Sequence, residues 1–132
     1  MSNLHLSLFL CSAIWMTSAS IYAEESETTR ELNGTKITYE YSSGRSYNVK
    51  FEEAGVSYRY LTGSKPDTWW GPFPYQAIRV EENLYFASWF EKGYGDYVTL
   101  LINFSERKLH GSAILRGEEV HFHSATLVKV EN

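Results

Sequence analysis

The chain has 132 residues, one domain's worth, with a formal net charge of −4, and a domain of this size has room for a single core. Acidic and basic residues are interspersed beyond residue 23, so no basic stripe is offered to a phosphate backbone and nucleic acid is not an expected partner. Ten Tyr, seven Phe and four Trp make an aromatic complement that suits β-strands and pocket walls better than helix interiors.

Residues 1–23 contain no Lys, Arg, Asp or Glu, and Leu4 to Met16 form an apolar run followed by small residues and Ala23. This is the pattern of a secretory signal peptide cleaved after Ala19 or Ala23, and it predicts an exported chain, periplasmic or secreted. The apolar run is shorter than the roughly 20 residues that span a bilayer, so no membrane span is expected in the mature chain. Cys11, the single cysteine, falls in this segment. The mature chain therefore offers no disulfide, thiol nucleophile or thiolate metal site. Residues 24–34, polar and without periodicity, read as a flexible tether ahead of a domain over 35–132.

From Thr35 onward, runs of Val, Ile, Tyr, Phe and Thr alternate with polar residues and are cut at short intervals by turn signals such as SSG, EEAG, EEN and RGEE. Strands are predicted over 35–41, 45–52, 55–61, 75–81, 83–90, 96–104, 107–116 and 118–130. The fold class is all-β: a single small antiparallel up-and-down, lipocalin-like barrel of about eight strands, enough to enclose one small ligand and to remove exposed edges. The connection from Thr62 to Pro74 contains all three prolines and two tryptophans. It reads as a loop over one mouth, with Trp69 and Trp70 as a lid.

Period-two alternation groups Ile37 with Tyr39 and Tyr41, Tyr47 with Val49 and Phe51, Val56 with Tyr58 and Tyr60, and Tyr85 with Ala87, Trp89 and Glu91. Tyr58, Tyr85 and Trp89, with Trp69 and Trp70, are the candidate ligand-binding residues. His110, His121 and His123 are the only histidine cluster. A two-residue turn at Gly117 and Glu118 would pair Arg116 with Glu119 and put all three histidines on a solvated outer face, with Val120, Phe122 and Val128 inside. No metal site is expected there. GxSxG, HExxH, P-loop and GxGxxG patterns are absent.

The stretch ITYEYSSGRSYNVKF (37–51) resembles the first hairpin of the phenolic acid decarboxylases. SYR (57–59), LTG (61–63), YQAIRV (75–80), LYFASWFEKGYGDYVTL (84–100), LHG (109–111) and SATLVKV (124–130) follow that family in order. The SWxE element, followed by a Gly-containing turn and an Asp, is the most specific. The resemblance implies a lipocalin-like barrel that decarboxylates hydroxycinnamic acids without a cofactor, with Tyr39 and Tyr41 orienting the substrate and Glu91 transferring the proton. Two features depart from it. Asp67, Thr68, Trp69 and Trp70 occupy the place where the family carries a substrate-holding arginine, and RGEE (116–119) replaces a helical excursion between the last two strands. Both resemble the shorter MoaF-like domains instead. Three functions are consistent with this: an exported small-molecule-binding barrel for an aromatic or amphipathic ligand, a cofactor-free carboxy-lyase, and an envelope interaction module using Trp69, Trp70 and Phe73. A homodimer is compatible with the resemblance alone.

Overall fold

The structure, a computed structural model, describes residues 25–132, so the signal-peptide expectation lies outside the described residues. Nine strands run in chain order: β1 Lys36–Glu40, β2 Ser46–Glu52, β3 Gly55–Tyr60, β4 Trp70–Phe73, β5 Tyr75–Glu81, β6 Leu84–Glu91, β7 Asp96–Asn103, β8 Lys108–Leu115 and β9 Glu119–Glu131. The eight expected strands are present. The ninth, β4, comes from the connection expected to be loop throughout, which pairs with β3 through Val56↔Phe73 and Tyr58↔Trp70. Among the described residues there is no helix long and apolar enough to cross a membrane.

All pairings are antiparallel and form one sheet in the order β4-β3-β2-β1-β9-β8-β7-β6-β5. The sheet is an up-and-down meander curled into a nearly closed barrel, with β1 and β9 paired and the two edges, β4 and β5, consecutive in the chain. At the seam β4 approaches β6. Tyr94, in the β6–β7 turn, packs edge-on against Trp70 and Phe73, with ring centroids 5.7 and 6.3 Å away. Such a close approach of β4 requires a glycine opposite it: Gly55 has a φ of 138°, and a Cβ there would collide with the carbonyl of Phe73.

The expected tether is corrected from Thr29 onward. Thr29 donates its N–H to the Ala77 carbonyl on β5, and Arg30 reaches the carbonyls of Tyr75 and Glu53. Leu32 is 2% exposed and plugs that end of the barrel. Polar residues alternating around a single leucine conceal this in the sequence, because one apolar residue makes no period. Packed with Leu32 are Ile37, Phe51, Val56, Leu100, Ile102, Leu109 and Leu127, all fully buried. Each such side chain contributes about 1.5–3 kcal/mol relative to exposure. Aliphatic filling thus closes one half of the barrel, and the other half holds aromatic and polar side chains.

The β8–β9 hairpin corrects the histidine assignment. Leu115 pairs with Glu119 across a three-residue loop of Arg116, Gly117 and Glu118, the first two at φ of 54° and 71°. One extra turn residue shifts β9 by one, and because side chains alternate with period two the strand turns over as far as the irregularity at Val128, beyond which Val130 packs on the core. His121 and His123 pair with Ala113 and Gly111 and face inward. Val120, Phe122 and Val128, expected inside, are exposed, Phe122 to 85%. His110 does lie outside, bonded to Ser124 Oγ at 2.8 Å.

Candidate functional site

The half-filled end of the barrel encloses a cavity of about 320 Å³ whose mouth is framed by the β1–β2, β6–β7 and β8–β9 turns. Alternation along the strands sends one side chain in two toward it. β1 contributes Tyr39, β2 Tyr47, β3 Tyr58 and Tyr60, β6 Trp89 and Glu91, and β9 His121 and His123, with Tyr41 following β1.

Glu91 is 2% exposed. Its two carboxyl oxygens are each held by one donor: Tyr58 Oη donates to Oε2 at 2.9 Å and Trp89 Nε1 to Oε1 at 3.0 Å. Tyr58 is on β3 and Glu91 on β6, so this bond joins the strands on either side of the seam. Burial raises the Glu91 pKa, and the two hydrogen bonds only partly oppose it. A carboxyl group so placed retains a proton further toward neutral pH than an exposed glutamate. It can act as an acid on a molecule in the cavity.

The tyrosines form a contiguous cluster. Tyr39 stacks on Tyr47 with centroids 5.4 Å apart, Tyr41 meets both edge-on at 5.6 and 5.3 Å, and Tyr47 meets Tyr60 at 4.9 Å. Burial raises the pKa of Tyr39 well above the ordinary phenol value and that of Tyr41 to about 12, while Tyr58 and Tyr60 are also raised by burial. All four stay protonated at neutral pH; Tyr58 gives its hydroxyl proton to Glu91, and Tyr39, Tyr41 and Tyr60 carry the other hydroxyl donors.

Five of the eight residues expected from sequence meet in this one cavity: Tyr39, Tyr41, Glu91, Tyr58 and Trp89. Three do not. Trp69 is not a lid but lies on the outer side of the barrel, between Lys50 Nζ at 4.7 Å and the Arg59 guanidinium at 4.8 Å. Trp70 is taken up by β4 and packs on Tyr94 at the seam. Tyr85 sits at the opposite end, donating to Glu31 Oε2 at 2.6 Å beside a separate depression of about 480 Å³ that Leu32 also lines. That depression contains no buried titratable group, unlike the cavity around Glu91.

Three cations that could stand in for the missing arginine, Arg59, Arg79 and Lys65, are placed elsewhere. Arg59 donates to Asn48 Oδ1 at 2.8 Å and stacks on Trp69, Arg79 is 3.6 Å from Glu31, and Lys65 is exposed in the loop. Sequence reasoning missed Tyr47, Tyr60, Arg45, His121 and His123 as cavity residues. Tyr47 was within reach, since it lies directly across from Tyr39 in the first hairpin. The histidines depended on the length of one turn.

The sequence model of the phenolic acid decarboxylase (PAD) family matches residues 29–132. The chain belongs to the phenolic acid decarboxylase family. The match begins at Thr29, where the N-terminal segment docks onto β5. Among solved structures, the chain is similar to a Burkholderia vietnamiensis protein provisionally described as a beta-lactamase. The identity is 17%, the TM-score 0.62, and the match covers 73% of this chain and 92% of that one; a likeness at this identity speaks for the barrel fold alone. No curated protein sequence matches the chain.

Proposed function

We propose that this member of the family binds a small phenolic carboxylic acid in the Tyr/Trp-lined cavity and removes its carboxyl group without a cofactor, with Glu91 supplying the proton. The observation that carries this reading is the burial of Glu91 between Tyr58 and Trp89, with its pKa raised, inside a cavity of about 320 Å³. Small-ligand pockets span roughly 300–1,000 Å³. In a hydroxycinnamate, protonating the alkene carbon beside the carboxylate draws electrons from the phenol through the ring. The C–CO₂ bond then breaks, its electron pair forms the vinyl double bond while the pair drawn from the phenol returns to the ring, and carbon dioxide and a vinylphenol leave. Glu91 regains its proton from solvent. Tyr39 and Tyr41 supply hydroxyls to the substrate's oxygen atoms. The test is loss of the acid's ultraviolet absorbance on incubation with the protein, abolished by Glu91→Gln. Turnover unchanged in that variant would refute Glu91 as the acid.

A second reading, a binding barrel without chemistry, is favoured by one observation. Where the family holds its substrate with an arginine, this chain has Asp67 and Thr68, both exposed, and an outward Trp69. Saturable quenching of Trp89 fluorescence without loss of absorbance would support it. In either reading the charge-free apolar segment within residues 1–23 supports export to a periplasmic or extracellular compartment.

A further inference from the structure

The order of strands around the barrel fixes what faces Glu91. From β9, the β6 strand that bears Glu91 is reached in three steps through β8 and β7, and the β3 strand that bears Tyr58 in three steps through β1 and β2. The inward side chains of β9, His121 and His123, thus occupy the wall opposite the Glu91–Tyr58 pair. His123 is the deeper of the two and is half-buried, its ring meeting that of Tyr41 edge-on with centroids 5.4 Å apart. Its place depends on Gly111, its cross-strand partner: a Cβ at Gly111 would collide with the imidazole and with the Leu100 side chain. Among the described residues neither ring nitrogen of His123 is hydrogen-bonded to a side chain, and no buried polar side-chain atom lacks a partner, so neither nitrogen is sealed inside the protein. Nε2 lies over Gly111, and the ring nitrogens remain reachable from the cavity that His123 lines.

We propose, resting on the decarboxylase reading, that His123 is the group that receives the phenol of a para-hydroxylated aromatic acid, taking its proton while Glu91 protonates the other end of the molecule. The substrate lies across the cavity with its carboxylate end toward Glu91 and its hydroxyl toward His123 and Tyr41. The imidazole nitrogen accepts the phenolic proton, and the O–H electron pair moves into the ring. When the C–CO₂ bond breaks, the ring oxygen takes the same proton back, so the imidazole ends neutral as it began. Burial lowers the His123 pKa, which keeps its lone pair free at neutral pH. Beyond the Glu91–Tyr58 pair, the other titratable groups lining the cavity are Tyr39, Tyr41, Tyr47 and Tyr60, Arg45 in the β1–β2 turn, His121 beside His123, and Asp96 on β7; β8 presents Ala113 and Leu115, with Gly111 beneath the His123 ring. The outward arrangement expected from sequence would have left this wall without a base.

The test compares 4-hydroxycinnamate with cinnamate, which lacks the hydroxyl. With Glu91→Gln to hold the acids unreacted, tryptophan quenching should show the hydroxylated acid binding more tightly by about fivefold or more, the worth of one hydrogen bond. Adding His123→Gln should reduce that preference to within about twofold. Independently, in protein labelled with ¹⁵N-histidine the His123 ring nitrogens should shift on saturation with 4-hydroxycinnamate and not with cinnamate, a readout that needs no variant at that position. A preference that survives His123→Gln, or His123 resonances that respond equally to both acids, overturns the assignment and leaves the Glu91 reading standing. Binding of neither acid by the unaltered protein overturns the decarboxylase reading, and this inference with it.

Discussion

Leu32→Ala tests whether the N-terminal segment belongs to the domain. Leu32 is 2% exposed and closes the aliphatic end of the barrel. Truncation removes three buried carbons, worth about 2.4 kcal/mol at roughly 0.8 each. The plug is ringed by strands fixed in a hydrogen-bonded barrel, which cannot collapse into the space, so a cavity cost adds to this and the total falls within the roughly 2–5 kcal/mol known for such changes. A loss of about 3 kcal/mol is a large share of the roughly 5–15 kcal/mol that holds a domain together. It should lower the melting temperature by on the order of 10–20 °C. The assay is urea unfolding followed by Trp fluorescence, in which the midpoint should fall with the slope unchanged. Thr28→Ala, at an exposed position in the same segment, is the control. A change below about 0.5 kcal/mol for Leu32→Ala, the range of surface substitutions, would refute the docked segment and restore the tether.

Glu91→Gln should stabilise the protein at neutral pH but not in acid. The Glu91 pKa is raised by burial, so its contribution is fully present below the ordinary carboxyl value of about 4.3 and is lost as pH rises through the folded value; melting temperatures of variant and wild type taken across pH should converge at the acid end. Tyr58→Phe removes one of the two donors to Glu91 and should push that pKa higher still, seen as an upward shift of the alkaline limb of the pH–activity profile. Gly111→Val should cost about 1–3 kcal/mol by overpacking and displace the His123 imidazole, with the thermal loss and the His123 nitrogen resonances as measures.

Much of the fold was legible because alternation and turn residues are local. Tyr39 with Tyr41, and Trp89 with Glu91, lie on one face of their strands in any register, so their convergence required only that the barrel close. Family resemblance in SWxE pointed to the same glutamate. What alternation cannot say is which face of a strand with apolar residues on both sides turns inward. On β9, Val120 and Phe122 compete with His121 and His123 for the interior, and the count of residues in the β8–β9 loop decides between them. Three loop residues rather than two placed the histidines inside.

The sequence by itself determined a β-meander, the positions of eight of its nine strands and the carboxylate with its neighbouring tryptophan, since these follow from period, turn chemistry and covalent spacing. Only the tertiary structure decided that Leu32 is core, that Trp69 lies outside against Lys50 and Arg59, and that Tyr58 reaches Glu91 over the seam. Each of these is a contact between residues distant in the chain. It depends on where the curled sheet brings its two edges together, a quantity that no window of sequence contains.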